Sequence, residues 1–213
     1  QGDAGGHDAD DLGGRQGAAR RFELGLAVIG SPGTQLADLS KLNPVLAKDG
    51  TEGFSITAGN SSGTNDAAAG VALVDADYAA ANGLNVMAKV RAWGAVGVDP
   101  RDTGLGGVKV IGKVLERAGL KPSDVTLWEI NEAFASVTIA AVREYGIDEE
   151  LVNFSGSGCS LGHPIAASGA RMVTTLVYEL QRRGGGVGVG RSLTEACIDA
   201  SRARGAAAVT DHA

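Results

Sequence analysis

Short apolar runs and longer amphipathic runs alternate along the second half of the chain, and this alternation restricts the fold more than any other property of the sequence. The runs TLWEI (126–130) and GGVGVG (185–190) have the length and composition of buried strands. Between them lie a helical pattern that begins at Asn131 and ends near Gly146, and a longer one over residues 164–184. Strands separated by helices of these lengths predict a layered α/β fold.

The preceding residues continue the same pattern. Residues 85–98 predict a strand that contains Trp93. Residues 106–120 predict an amphipathic helix, with Val110, Val114 and Leu115 on one face, which ends at the next glycine. The alternation therefore extends over most of the chain downstream of residue 84.

Residues 54–84 are rich in small side chains, and their periodicity is weaker. FSIT (54–57) predicts a short strand, and an alanine-rich helix is expected to start near Asn65 or Asp66, either of which could be its N-cap. VALV (71–74) is either a buried strand or the end of that helix. Residues 75–84 predict a helix that ends at Asn-Gly.

Charge and composition exclude several classes of function. The formal net charge is −6, so there is no basic surface of the kind that binds nucleic acid or anionic membranes. No run of about 18 uncharged apolar residues predicts a membrane helix, and no basic-then-apolar leader predicts secretion. Cys159 and Cys197 are far apart and lack metal-ligand spacing, so we expect no metal and a reducing, cytoplasmic location.

Three small-residue loops follow predicted strands and precede predicted helices: TAGNSSG (57–63), NEAF (131–134) and GCSLGHPIAASG (158–169). Ligands gather at such loops in α/β sheets, and helix N-termini offer free N–H donors to an oxyanion. Asn131 is either a helix cap or a site residue, and Ser62 is either a turn residue or a site residue. His163 is either a histidine satisfied by backbone or a general base, and the adjacent proline and glycine favour the second interpretation.

The three motifs TAGNSSGTNDAAA, NEAFA and GCSLGHPIAASGAR resemble those of the thiolases, the acetyl-CoA acetyltransferases and 3-ketoacyl-CoA thiolases, in order and in separation. The resemblance runs from about Thr34 to Gly188. It implies a thiolase-like layered α/β fold that is incomplete.

The resemblance also implies a division of the chain. Residues 34–84 would be the C-terminal part of the thiolase N-terminal domain, and residues 85–190 the thiolase C-terminal domain. Residues 1–33 are polar and rich in glycine and aspartate, which predicts a disordered lead-in. Residues 191–213 are expected to be an atypical tail, either a loose terminal helix or a segment unrelated to the core.

The activity that the resemblance implies is thiolytic cleavage or condensation of 3-ketoacyl-CoA and acetyl-CoA through a cysteine acyl-enzyme. His163 would activate the cysteine and help to hold the thioester oxygen. Asn131 would position a water that completes an oxyanion hole.

Four residues would line the pantetheine arm of the substrate: Ala58, Gly59, Ser62 and Phe134. Coenzyme A and acyl-CoA would be substrates, and no cofactor would be bound permanently. The partners implied are a second copy of the chain or a complementing thiolase half. Acyl chain length and the direction of the reaction stay open.

The cysteines depart from the thiolase pattern. No cysteine precedes Cys159, whereas the thiolase nucleophile lies far upstream of the histidine loop. Cys159 is either a small buried thiol or a substitute nucleophile activated by the nearby imidazole. Cys197 lies in a helix-like context without the glycine run that follows the second thiolase cysteine, so the proton-shuttle role is not assigned to it.

Two interpretations follow from this departure. The chain is part of an acyltransferase that is not competent alone, or it is a non-catalytic thiolase remnant that at most binds acyl-CoA. A condensing enzyme of the ketosynthase type is a third, weaker alternative, which the NEAF motif argues against.

Overall fold

The computed structural model describes residues 35–45, 55–191 and 195–200. Its helices, numbered in chain order, are α1 (Leu36–Leu39), α2 (Ala76–Ala81), α3 (Thr103–Ala118), α4 (Ala135–Tyr145), α5 (Gly158–Leu161) and α6 (Ile165–Arg183). Its strands are β1 (Lys89–Gly94), β2 (Leu127–Ile130), β3 (Gly186–Arg191) and β4 (Glu195–Ala200). The predicted lead-in, residues 1–33, lies outside the described residues.

The described strands form one sheet in the order β1-β4-β3-β2. β2 and β3 are parallel, with Leu127 opposite Gly188, whereas β4 is antiparallel to both β3 and β1. The parallel pair is joined through α4 and α6, as expected for strands that run in the same direction and need a helical crossover. The C-terminal end of β2 therefore lies near the loops that precede these helices.

Side chains of β2 alternate between two helical layers. Trp128 and Ile130 belong to a buried cluster that includes residues of α3 and α4, whereas Leu127 packs with Leu176 and Leu180 of α6. This two-residue period places a helix layer on each face of the sheet. The layered α/β fold predicted from the alternation is confirmed.

Glycines of β3 let α6 approach the sheet closely. A Cβ added at Gly188 would lie 3.0 Å from Cδ1 of Leu180 and 3.1 Å from Cδ2 of Leu176. The intervening Val187 and Val189 pack on the opposite face, against the α3 and α4 cluster. The valines of the GGVGVG run thus pack against α3 and α4, and its glycines allow α6 to pack close to the sheet.

Predictions for the later helices hold, with shifted boundaries. In α3, Val110, Val114 and Leu115 are buried as expected, and the helix ends at Gly119 in the left-handed conformation. α4 begins at Ala135 rather than at Asn131, and its N-cap residue is Phe134. Residues 131–134 are not helical, because their main chain bonds the loop around Ser61.

Predictions for residues 55–75 are wrong in several places. Residues 55–57 form no strand, and residues 62–75 form neither the alanine-rich helix nor the VALV strand. Val71 and Leu73 are exposed at 44% and 67%. An alanine-rich segment without an apolar face gains little packing energy, so helix propensity alone does not hold it. The next helix, α2, forms as predicted, with Asp75 as its N-cap.

The prediction of a helix or an unrelated tail after residue 190 is also wrong for the described part. Residues 195–200 are strand β4, which pairs on both sides with β1 and β3. Ladder hydrogen bonds to two neighbours outweigh the helical preference of an alanine-rich sequence. Cys197 therefore lies in a central strand rather than in a helix.

Within the described residues, no helix is both long enough and apolar enough to cross a bilayer.

Candidate active site

The TAGNSSG and NEAF loops contact each other through their main chains. Ser61 and Phe134 form an antiparallel bridge, the N–H of Ser62 donates to the carbonyl of Ala133 at 3.1 Å, and the N–H of Ala135 donates to the carbonyl of Asn60 at 2.9 Å. The second of these hydrogen bonds satisfies the N–H of the first residue of α4, which the helix itself leaves free. The bonds between the loops also explain why α4 begins four residues later than its sequence pattern predicts.

The TAGNSSG loop is held in shape by its own polar side chains. Oδ1 of Asn60 accepts from the N–H of Thr57 at 2.8 Å, and Oγ of Ser61 donates to the carbonyl of Thr57 at 2.8 Å. Short side chains that bond nearby backbone stabilise turns at the expense of helix. The loop is a folded turn rather than the entry to a helix.

The histidine loop joins this assembly through Asn65. Oδ1 of Asn65 accepts the main-chain N–H of His163 at 3.1 Å, across 98 residues of sequence. A Cβ at Gly162 would lie 2.5 Å from the same oxygen, and Gly162 has φ of 105°, so only glycine suits this position. Asn65, one of the two candidate caps of the predicted helix, instead connects two motifs.

The side chains of Asn131 and His163 meet where these loops converge. Nδ2 of Asn131 lies 3.2 Å from Nε2 of His163. Asn131 is 7% exposed, and its Oδ1 is buried without a hydrogen-bond partner among the described residues. Asn131 caps no helix, and its amide faces the imidazole, which is the arrangement expected of a site residue.

Burial and charge act on His163 in the same direction. Burial lowers the pKa of His163, and the positive charge of Arg171 lowers that pKa further. The imidazole is therefore more often neutral near pH 7 than an ordinary histidine. A neutral imidazole has one nitrogen lone pair, which a general base requires.

Buried hydrogen bonds of Asn153 and Glu132 hold the NEAF segment in place. Oδ1 of Asn153 accepts from the N–H of Ile130 at 2.7 Å, and Nδ2 of Asn153 donates to the carbonyl of Ile130 at 2.9 Å and to Oε1 of Glu132 at 3.1 Å. The other oxygen of Glu132 accepts the N–H of Cys159 at 3.2 Å. The end of β2 and the start of the histidine loop are thus joined through two side chains.

Cys159 is a small buried thiol in this structure. It is 5% exposed, and its Sγ donates to the carbonyl of Glu132 at 3.4 Å. Burial, together with the nearby Glu132 carboxyl, raises the pKa of Cys159 to about 12. Nucleophilic attack needs a thiolate, so this environment disfavours the substitute-nucleophile interpretation.

A second buried carboxyl lies in β2, two residues before Asn131. Glu129 is fully buried, and one of its oxygens accepts from Nη1 of Arg171 at 2.7 Å. Burial raises the pKa of Glu129 to about 7, an effect that Arg171 offsets only in part. Burial also raises the pKa of Glu132.

These shifts make stability depend on pH. An unfolded glutamate loses its proton near pH 4.5, whereas folded Glu129 keeps it to about pH 7, so the free energy of unfolding falls as pH rises through this window. We expect Glu129→Gln to reduce the fall between about pH 5 and about pH 8 by up to about 3 kcal/mol, measured by urea unfolding. The raised pKa of Glu132 should maintain part of the pH dependence of stability in this variant.

Glu144→Gln, at an exposed position, is the control and should leave the pH dependence of stability unchanged. An unchanged slope in Glu129→Gln would contradict the assignment.

The predicted substrate-lining residues lie on the first two loops. Phe134 is 41% exposed and Ser62 is half-buried, and the bonds between their loops bring them together. Ala58 is exposed at the turn. Gly59 is buried, and a Cβ there would lie 2.7 Å from Cδ1 of Leu42, so this glycine allows α1 and the following turn to pack against the loop.

Sequence reasoning missed the supporting residues. Asn153 and Glu132 carry no spacing signal of their own, because their partners are distant in sequence. Ser168 lies in the same motif as His163, five residues later, but a serine in a small-residue loop gives no sign that it contacts the imidazole. Among the described residues, no cluster of three or more His, Cys, Asp or Glu side chains is arranged to hold a metal ion.

Comparisons with known proteins agree on one family. Residues 84–211 match the family model described as thiolase, C-terminal domain. An acetyl-CoA acetyltransferase of Rhizobium meliloti is 41% identical over 166 residues, which cover 78% of this chain and 40% of the relative. A 3-ketoacyl-CoA thiolase of Bacillus subtilis is 44% identical over 158 residues, covering 74% and 39%. The peroxisomal 3-ketoacyl-CoA thiolase 2 of Arabidopsis thaliana is 45% identical over 153 residues, covering 72% and 32%.

Solved structures give the same result. The acetyl-CoA acetyltransferase of Bacillus anthracis superposes with a TM-score of 0.69 at 35% identity, over 80% of this chain and 44% of that one. Human mitochondrial 3-ketoacyl-CoA thiolase superposes with a TM-score of 0.69 at 33% identity, over 82% and 44%. The chain spans less than half the length of each of these proteins.

Proposed function

Because the chain belongs to the thiolase family, we propose that it supplies the histidine and asparagine half of a thiolase-type acyltransferase active site. The observation that carries this proposal is the 3.2 Å approach of Nδ2 of Asn131 to Nε2 of His163. The two residues come from different loops, and the fold brings their side chains together at the end of β2. The reaction would be thiolytic cleavage or condensation of 3-ketoacyl-CoA and acetyl-CoA.

In this proposal His163 removes the proton from a cysteine thiol and then donates a hydrogen bond to the thioester oxygen. Its lowered pKa keeps the imidazole neutral before the thiol is activated. Asn131 holds the water that completes the oxyanion hole through its side-chain amide, which lies beside the imidazole. In this division, His163 is the base and the amide of Asn131 is the fixed dipole.

Coenzyme A and its acyl thioesters are the proposed substrates. Phe134 and Ser62 lie beside the asparagine on the joined loops, and the exposed face of Phe134 offers apolar surface to a pantetheine arm. Ala58 and Gly59, on the same turn, are the further proposed lining residues. Neither nucleic acid nor membrane is a proposed partner, and the cytoplasmic location stays a prediction.

The nucleophile is proposed to come from outside these 213 residues. Cys159 is buried with a pKa raised to about 12, and Cys197 lies within the central strand β4. The chain alone is therefore expected to bind coenzyme A without cleaving acetoacetyl-CoA. A second copy of the chain would not add a suitable cysteine, whereas a complementing thiolase half would.

The test combines the chain with the N-terminal half of the Bacillus subtilis relative, by fusion or by mixing. We expect coenzyme A-dependent cleavage of acetoacetyl-CoA, and a loss of about 10²- to 10⁴-fold in His163→Ala. His7→Ala is the matched histidine control, and Cys159→Ala should keep most of the activity.

Two outcomes would contradict the proposal. Turnover by the chain alone that Cys159→Ala abolishes would make Cys159 the nucleophile. Binding of coenzyme A without turnover in the complemented protein would support a non-catalytic remnant instead.

A further inference from the structure

Ser168 lies against the side of the His163 imidazole that faces away from Asn131. Its Oγ is 2.6 Å from Nδ1 of His163, and the residue is only 2% exposed. It belongs to the first turns of α6, and the same oxygen lies 3.1 Å from the carbonyl of Pro164. A buried hydroxyl on the far nitrogen of a histidine controls which nitrogen carries the proton.

The proton positions follow from counting donors. A serine hydroxyl has one proton, and Oγ lies within reach of a carbonyl, which can only accept, and of Nδ1, which can do either. With the proton given to the carbonyl of Pro164, Oγ accepts from Nδ1–H of the imidazole. Nε2 is then unprotonated and accepts from the amide of Asn131. The opposite arrangement would place an Nε2–H against the Nδ2 donor of Asn131 at 3.2 Å, which is unfavourable.

We propose that Ser168 is a positioning residue that holds neutral His163 in its Nδ1–H tautomer and so leaves Nε2 as the basic atom beside Asn131. This inference rests on the proposed function for its importance in the reaction, but the tautomer itself is a property of the free chain. When His163 takes up a proton at Nε2, Ser168 continues to accept from Nδ1–H. Ser168 thus keeps its contact with the ring in both protonation states, whereas the hydrogen bond from the amide of Asn131 to Nε2 is lost when Nε2 is protonated.

The inference is tested in the ligand-free chain by nuclear magnetic resonance. Long-range proton–nitrogen correlation spectra of the ¹⁵N-labelled chain distinguish a protonated from an unprotonated ring nitrogen, and the signals of His163 are those lost in His163→Gln. At a pH where His163 is neutral, we expect the Nδ1 signal at the protonated position and the Nε2 signal at the unprotonated position. In Ser168→Ala we expect the two signals to move toward each other as the Nε2–H form becomes populated.

Matched variants separate the positioning role from a general effect on α6. Ser168→Thr keeps the hydroxyl and should restore the signals of the unmodified chain. Thr174→Ala removes a hydroxyl of the same helix that donates to the carbonyl four residues earlier, at 2.9 Å, and should change nothing at His163. If Ser168→Ala does not fold, Ser168→Cys replaces it, because a thiol is a poor acceptor and should cause the same change.

Either of two results would overturn the inference: an Nε2–H tautomer in the unmodified chain, or an Nδ1–H tautomer that persists in Ser168→Ala. The spectra require no turnover, so they stand whether or not the complemented protein cleaves acetoacetyl-CoA. If the tautomer changes as expected and turnover fails, only the proposed function is contradicted.

Discussion

Gly158→Ala is expected to lower the free energy of unfolding by about 3 kcal/mol or more and to displace the loop that carries His163. A Cβ at this position would lie 2.5 Å from the carbonyl oxygen of Glu132 and 2.8 Å from its carbonyl carbon. Both atoms are backbone, so no side-chain rotation relieves the contact. The histidine loop and the NEAF segment would have to separate.

Urea unfolding followed by tryptophan fluorescence measures this change, since Trp128 is buried in the core next to the site. Gly97→Ala is the matched control, because a Cβ there meets nothing within 4 Å. Its free energy of unfolding should change by no more than about 0.5 kcal/mol. Equal stabilities of the two variants would show that the loops are not packed as closely as the structure has them.

Asn153→Ala is expected to lower the free energy of unfolding by about 3 to 5 kcal/mol. The substitution leaves the N–H of Ile130 and one oxygen of Glu132 without their buried partner, and it removes one of the two donors to the carbonyl of Ile130, which keeps Oγ of Ser157 at 3.0 Å. Asn153 also has φ of 48°, a conformation that asparagine tolerates better than alanine. Because Ile130 directly precedes Asn131, the site should be disturbed along with the fold.

Two further variants sharpen this test. Asn153→Asp keeps an acceptor for the N–H of Ile130 but places a carboxylate against Glu132, so it should also destabilise, and more strongly at high pH. Asn82→Ala removes an exposed amide that donates to the carbonyl of Tyr78, and it should cost less than about 1 kcal/mol. A similar loss in Asn82→Ala and Asn153→Ala would contradict the role of the buried network.

The hydrophobic pattern was enough to predict helices α3 and α6 and strands β2 and β3. The buried positions Val110, Val114 and Leu115 follow from a 3.6-residue repeat, and Gly119 ends the helix because glycine adopts a left-handed conformation without strain. β2 was read from a short apolar run. In each case the residues that decide the structure are close together in the chain.

The same local reasoning failed where distant partners compete for the backbone. Residues 131–134 have a helical pattern, yet their main chain bonds the loop around Ser61. β4 has a helix-like composition, yet two neighbouring strands accept and donate its ladder bonds. The loop around Ser61 and strand β1 lie far upstream of the segments that they bond, although β3 directly precedes β4.

The sequence by itself determined the layered α/β class, the three motif loops and the identity of His163 and Asn131 as candidates. Only the tertiary structure decided that the amide of Asn131 and the imidazole of His163, 32 residues apart, lie within 3.2 Å. It also decided that the hydroxyl of Ser168 contacts the other ring nitrogen. Residue type and periodicity are local properties of the chain. Hydrogen-bond distance and proton position depend on how separate loops pack, and packing is settled by contacts between segments that the sequence keeps apart.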